Sequence, residues 1–397
     1  MNTTATLCNN IDEVSKAEWN ALNPEHNPFL RHEFLRALER HHCVGEHFGW
    51  LPRHVLVRDQ SKRLIGAAPM YIKTNSYGEF VFDWNWADAY QRSELSYYPK
   101  LVIAIPYTPA TGPRLMVNPD CDEQAIRKQL METAIGYGSS MGASSLHALF
   151  TNDKDTQSLE SHGLGVRIDC QFQWKNDGYR SFDDFLGRFT AHKRKKIKRE
   201  RRRVRESNIE IVLKSGNELD DHEWQSVYRF YSSTFNKKFG YPTLTLDFFR
   251  EIGRTMGNQI LIALARDNNQ DVAAAICFKS LDTLYGRHWG CARDYHSLHF
   301  ELCYYQGLEY CIDNGLQHFD PGVQGEHKIS RGFLPTITRS AHWIEHEPFR
   351  VVINDFLRRE TRAIRDYYKT LCKRSPYKDP LPSLAPTHPP HARLSAG

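Results

Sequence analysis

The chain has 397 residues, a quarter of them charged, and a formal net charge of +5. That length suits two domains rather than one, and the composition is that of a globular protein rather than a fibrous or low-complexity one. No apolar run reaches the ~18–20 residues of a membrane helix, and the nine cysteines include no Cys-x-x-Cys pair, so they read as buried thiols of a reducing compartment and not as a disulfide framework.

The opening residues lack a basic stretch followed by an apolar one, so no signal peptide is expected and a cytoplasmic location is. The nineteen histidines form no His-Glu-x-x-His pattern, and no metal site is expected. The charge is unevenly spread. Residues 193–205 hold ten Lys or Arg and one Glu, leaving the rest of the chain at −4 against the total of +5.

In chain order, Phe34, Leu35 and Leu38 share one face of a helix near residues 32–39. Residues 54–59, 64–73 and 80–86 then alternate as strands separated by polar turns, a three-strand antiparallel meander. Further strands near 98–104, 114–117, 146–150 and 172–174 surround a helix near 122–141. The meander recurs about two hundred residues later at 260–267, 272–279 and 284–290, and both meanders exit on a Trp followed shortly by a Tyr. Two such halves suggest a duplicated α/β domain with a mixed sheet, the first over residues 1–170 and the second over 171–350, with a boundary near 165–180.

The second half opens with a helix over 186–206. Leu186, Phe189, Ile197 and Val204 form its thin apolar seam and Lys and Arg fill the other faces. Like charges at this density repel, so an anionic partner is expected: tRNA or another polyanion, a phosphate-bearing substrate or a membrane surface. Lys193, Arg194, Lys195, Lys198 and Arg202 are the candidate contacts.

Residues 285–290 read as a strand, 299–314 as a helix and 317–320 as a second strand. Strand, helix, strand requires a crossover, so the two strands are expected to be parallel and adjacent. Ligands of open α/β sheets sit beyond the carboxyl ends of such strands. Asp320 ends one of them, and the loop that follows, 321–333, mixes three glycines with Glu326, His327, Lys328 and Arg331. Close ionisable groups of both signs on a glycine-rich loop point to a site. After it, 351–374 reads as a helix, and the proline-rich residues from 375 to 397 as a disordered tail.

Several stretches carry a resemblance: APMYIK at 68–73, YGEFVFDW at 77–84, YYPKL at 97–101, TPATGPR at 108–114, and residues 321–335. Together they make residues 10–360 resemble the FemAB-like, peptidoglycan-biosynthesis-like N-acyltransferases. The resemblance implies tandem GCN5-related acetyltransferase-like domains, in agreement with the repeat. It implies a transferase that moves an acyl or aminoacyl group to an amine acceptor, either a small molecule or a cell-wall precursor. It also points at Lys328, because residues 327–333 are similar to a lysine-bearing segment of Fem-type ligases. The donor is either acyl-CoA or aminoacyl-tRNA, with no cofactor tightly bound. Residues 291–297 (CARDYHS) lack the Arg/Gln-x-x-Gly-x-Gly/Ala cradle of acetyl-CoA-dependent relatives.

Amide formation needs a base for the amine, donors facing the oxyanion and a proton for the leaving group. His327 suits the base by its ordinary pKa, and Glu326 or Asp320 would need a raised one. Lys328 or Arg331 would face the oxyanion. Arg287 would bind a carboxylate or phosphate, with Trp289 and Glu301 as further substrate contacts. Trp84 and Trp86 read as packing residues. The competing reading is a tRNA-binding or scaffolding protein whose acyltransferase site has decayed and whose basic helix does the work.

Overall fold

The computed structural model describes residues 3–236, 240–323 and 325–379. Its strands are β1 (Thr4–Cys8), β2 (Trp50–Pro52), β3 (His54–Arg58), β4 (Leu64–Ala68), β5 (Met70–Lys73), β6 (Lys100–Ile103), β7 (Met116–Val117), β8 (Ser145–Ala148), β9 (Gly165–Lys175), β10 (Glu210–Ser215), β11 (Ile260–Asp267), β12 (Gln270–Lys279), β13 (Thr283–Cys291), β14 (His318–Asp320) and β15 (Leu334–Ile344). Strands β1, β3, β4 and β7 form a small sheet. The others form one large mixed sheet in the order β10-β11-β12-β13-β14-β9-β15-β8-β6-β5-β2.

The large sheet repeats itself about its middle. In the first half β5 and β6 are antiparallel, the helix Glu123–Ser140 crosses over, and β8 returns parallel to β6. In the second half β12 and β13 are antiparallel, a helical segment crosses over from Leu298 to Asp313, and β14 returns parallel to β13. That is the parallel pair expected from the strand-helix-strand pattern. The central strands join the halves. β9 pairs antiparallel with β14 of the second half, β15 pairs antiparallel with β8 of the first, and β9 and β15 pair with each other over nine residue pairs. Residues 165–180, where the sequence places the boundary, thus contain a strand bonded to both halves.

The first meander departs from expectation. Residues 64–73 are two strands, not one, because Pro69 has no N–H for the ladder; β4 joins the small sheet and β5 the large one. Residues 80–86 are not a strand. A helix, Trp84–Arg92, begins there, and it buries Trp86 and Tyr90, one turn apart, in a cluster with Ile353 and Leu357. The alternation of Phe80, Phe82 and Trp84 suggested a strand, yet these three side chains are exposed.

The first forty residues pack across onto the second half. Phe29 lies 5.2 Å from both Phe278 and Tyr285, Phe34 lies 5.5 Å from Phe248, and Arg36 and His41 both bond Glu251. Burying each such ring stabilises by roughly 1.5–3 kcal/mol.

The basic segment is two helices, Phe182–Gly187 and Ala191–Glu206, with a break at residues 188–190 rather than one continuous helix. Its seam of Leu186, Phe189, Ile197 and Val204 is buried as the pattern indicated. A long helix, Glu347–Cys372, follows β15. The first residues after it are packed: the Tyr377 hydroxyl donates to the Gly332 carbonyl oxygen at 2.7 Å and its ring lies 4.9 Å from Phe189. Gly332 has φ +98°, and a Cβ there would meet Tyr377, Phe185 and Phe189 within 3.0 Å. The remainder of the expected tail, 380–397, lies outside the described residues. No helix of the described residues is long and apolar enough to cross a membrane.

Candidate functional site

Strands β13 and β14 pair only over Thr283–Tyr285 and His318–Asp320, and beyond the Tyr285–Asp320 pair they part. At the same level the register of β12 against β13 shifts: Cys277 faces Gly286 and Ile276 faces His288, so Arg287 is the extra residue of a β-bulge. Bulges re-aim side chains and are common beside active sites. The loop after Asp320 enters this opening. Gly322 sits at φ +90°, and a Cβ there would lie 3.3 Å from the Gly286 carbonyl oxygen, so the loop backbone lies directly on β13.

Three ionisable side chains converge here. Asp320 is 4 % exposed, and its Oδ1 accepts from the Gly322 N–H at 3.0 Å. Lys328 is 2 % exposed and donates from Nζ to the Gly322 carbonyl oxygen at 2.5 Å. Arg287 donates to the Tyr107 carbonyl oxygen at 2.5 Å, a contact between residues 180 apart that ties the first half to the second. Burial raises the Asp320 pKa, against the opposing pull of its Gly322 hydrogen bond, Arg287 and Lys328. Burial pushes Lys328 down to about 8 despite Asp320, and Arg287 down to about 10. The charges influence one another without a direct ion pair within 4 Å among these residues. Each is held by main-chain oxygen or nitrogen and keeps further bonding capacity.

Arg287 also lines a narrow crevice of about 10 Å³ between the halves, with Phe29, Phe34, Pro106, Tyr107 and Thr108 from one side and Leu244, Phe278 and His288 from the other. Burial, with Arg287 adjacent, holds His288 down to about pKa 3, and its ring lies 4.9 Å from that of Tyr231. The sequence analysis did not single out His288, Tyr107 or Phe29. Only His288, between Arg287 and Trp289, carried a local signal; the others arrive through long-range packing.

The remaining sequence candidates are placed elsewhere. His327 is exposed, its Nε2 2.9 Å from the Tyr304 hydroxyl and its ring packed over Gly325, where a Cβ would lie 2.2 Å away. Partial desolvation of the ring, aided by Arg331 and Lys328, lowers its pKa. Trp289 lies 5.4 Å from His299, which in turn lies 6.4 Å from His327. Glu326 is exposed and turned to the last helix, where it bonds Tyr367 and Arg374. Arg331 does not face an open site: it is 2 % exposed, ion-paired to Glu200 and stacked 3.4 Å from the Phe300 ring centroid. Glu301 is likewise buried and bonded to Arg201. The two that looked like substrate contacts in the sequence hold the basic helix instead.

On that helix, Ile197, Glu200 and Val204 face inward. Arg201 bridges Glu301 and Glu309, Lys198 pairs with Asp183, and Arg202 pairs with Glu206. Lys193, Arg194 and Lys195, together with Lys196, Arg199 and Arg205, have no carboxylate within 4 Å among the described residues, and Lys195, Arg199 and Arg205 are exposed. No group of three or more His, Cys, Asp or Glu among the described residues is arranged to hold a metal ion.

The model of the FemAB-like family, described as peptidoglycan biosynthesis/recognition, matches residues 10–379. No curated protein matches the chain. Among solved structures, FemX superposes with a TM-score of 0.53 at 10% identity, covering 89% of this chain and 100% of that one. The C-terminal domain of a putative lysylphosphatidylglycerol synthetase from Agrobacterium fabrum gives 0.49 at 10% identity, over 86% and 97% of the two chains. A tandem GNAT protein from the clavulanic acid biosynthesis pathway gives 0.43 at 11%, over 86% and 98%. The chain therefore has the fold of FemX, built from two α/β halves.

Proposed function

Because the chain belongs to the FemAB-like family, we propose that it is an N-acyltransferase, moving an acyl or aminoacyl group onto an amine acceptor in cell-wall precursor metabolism. The observation that carries this reading is the convergence of Asp320, Arg287 and Lys328 where β13 and β14 part.

The chemistry follows from their environments. The acceptor arrives as an ammonium ion and must lose a proton before its nitrogen attacks. Asp320, whose pKa burial raises, is a stronger base than an exposed carboxylate and takes that proton. As the C–N bond forms, the carbonyl oxygen gains negative charge. The bulged Arg287 and the Lys328 ammonium supply positive charge on the cleft side. When the C–O or C–S bond of the donor breaks, Lys328, pushed down to about 8, gives its proton to the leaving group more readily than an ordinary lysine. The nitrogen still carries one proton too many for an amide and passes it to the now neutral Lys328, and Asp320 releases the first proton to water, which restores the starting state with one proton released per transfer. On this reading the base is Asp320 rather than His327.

The donor that the surface favours is a phosphate-bearing carrier, aminoacyl-tRNA or acyl-CoA, because the unpaired cations of the basic helix offer phosphate contacts that buried site residues do not. The test supplies the full chain with an amine-bearing, nucleotide-linked muropeptide and, in separate reactions, an aminoacyl-tRNA pool or a set of acyl-CoA thioesters. Mass spectrometry of the acceptor reads the result. The expected outcome is a mass gain of one acyl or aminoacyl unit with one donor class. An acceptor unchanged with both classes, by protein that binds the carrier, would favour the scaffold reading instead.

A further inference from the structure

The basic run of residues 193–205 contains a single acid, Glu200. Sequence alone offers no reason for it. In the structure it is the one charged side chain of the run turned fully inward, 6 % exposed. Its carboxylate accepts from Arg331 Nη2 at 2.9 and 3.1 Å and from the Tyr305 hydroxyl. The other terminal nitrogen of Arg331 donates to the His327 carbonyl oxygen at 2.9 Å, and its guanidinium lies on the Phe300 ring. Arg331 and His327 belong to the short turn Glu326–Arg331, which also carries Lys328.

Phe300 and Tyr305 sit at the two ends of another unusual feature. The crossover helix is interrupted by a π-helical turn, Glu301–Tyr305, between Leu298–Phe300 and Gln306–Asp313. Such turns are rare and concentrate at functional sites. Arg201, next to Glu200, bonds Glu301 inside the π-turn and Glu309 beyond it. Two neighbouring residues of the basic helix thus grip the π-turn, and one of them also grips the turn bearing Lys328.

We infer that Glu200 is a positioning residue that couples polyanion occupancy of the basic helix to the geometry of the Glu326–Arg331 turn. The inference rests on the carrier reading above and adds a regulatory consequence to it. In the free protein Glu200 faces Arg331 on one side and the field of ten cations on its own helix. Phosphates bound along the exposed face neutralise that field, and Arg331 becomes the dominant partner of Glu200. The turn is then held more firmly, with Lys328 beside Asp320. By linkage the effect is reciprocal: a ligand that orders the turn from the cleft tightens carrier binding. The site is set for transfer only when a loaded carrier is seated, which limits loss of the acyl group to water.

The test measures backbone amide exchange by mass spectrometry on the full chain, with and without saturating unfractionated tRNA at low salt. In the wild type, tRNA is expected to slow exchange across residues 325–333 by about tenfold, within the usual range of site-to-site coupling. Glu200→Gln removes the charge but no exposed cation. It is expected to bind tRNA within about threefold of the wild type, with an unchanged salt slope, and to lose the protection at 325–333. Arg331→Lys, which keeps the charge and loses the forked contact, is expected to do the same and serves if Glu200→Gln fails to fold. Wild-type binding with no change at 325–333 overturns the coupling and leaves the carrier reading standing. Protection that persists in the two variants also overturns it. Failure of the wild type to bind tRNA overturns the coupling together with the aminoacyl-tRNA form of the carrier reading, and leaves acyl-CoA as the donor.

Discussion

The two halves build the same strand, helix, parallel strand unit and finish it differently. In the second, β13 and β14 part beyond Tyr285 and Asp320, and the opening holds Asp320, Arg287 and Lys328 on main-chain anchors. In the first, Arg114 bridges the segments that leave β6 and β8. It is 1 % exposed and donates to the carbonyl oxygens of Leu149, Ala110 and Pro113 at 2.6–2.9 Å. Its guanidinium, bonded through each of its three nitrogens, plugs the corresponding place. The first half keeps a further set of buried charges at the opposite end of β6, where Lys100 bonds Glu79, Asp83 and Ser76. Burial and Asp83 raise Glu79 to about 7 despite Lys100; Lys100 and His147 outweigh burial at Asp83 and hold it down to about 2. The same topology thus supports an ion-paired network in one half and, in the other, three charges held by main-chain groups with no ion pair among them. The loop that leaves the plugged half supplies Tyr107, whose carbonyl oxygen orients Arg287.

If that contrast is right, charges in the first half govern stability and charges in the second govern chemistry. Lys100→Met leaves two buried carboxylates without their cation and is expected to destabilise by about 3–5 kcal/mol in urea unfolding; a loss below about 1 kcal/mol would remove the structural assignment. Arg114→Met strands buried carbonyl oxygens and is expected to cost about 3 kcal/mol, whereas Arg287→Met, which gives up the one bond to the Tyr107 carbonyl oxygen, is expected to cost about 1 kcal/mol. Equal losses would erase the distinction between plug and site.

A smaller effect concerns pH. Lys328 must be protonated to serve the leaving group, so with its pKa lowered to about 8 the transfer rate is expected to fall about tenfold per pH unit above 8. The same lowering means the unfolded chain binds more protons than the folded one between about pH 8 and 10.5, so this lysine makes stability rise with pH across that window. Lys328→Met should abolish both effects, and a profile flat from pH 7 to 10 would count against the proton-donor role. The smallest effect separates paired from unpaired cations on the basic helix. Neutralising Lys195 or Arg199 is expected to lower the log–log salt slope of tRNA binding by nearly one unit each, whereas Lys198 and Arg202, which have partners in Asp183 and Glu206, should change it less.

The sequence made the second half's core legible because its pattern is local. Alternation marked β11 to β13, the crossover required β14 to be parallel, and Asp320 followed as the strand end. The first half was harder to read where local pattern and tertiary packing disagree. Phe80, Phe82 and Trp84 alternate like a strand, but Trp86 and Tyr90 find a buried face one helical turn apart, and that burial sets the structure. The roles of Arg331, Glu301 and Glu200 could not be read from sequence, because each is decided by a partner about a hundred or more residues away. A cluster of ionisable residues on one loop looked like one site. The structure divides it, sending Lys328 inward, Glu326 to the last helix and Arg331 to the basic helix.

The most direct measurement compares Asp320→Asn with the wild type in single-turnover acyl transfer at pH 7, alongside urea unfolding of both proteins. Loss of the base is expected to slow transfer by about 10²–10⁴-fold. Stability should hold or rise, because burial disfavours the charged carboxylate that the substitution removes. Transfer at the wild-type rate by a folded Asp320→Asn protein would contradict the placement of the chemistry at the parting of β13 and β14.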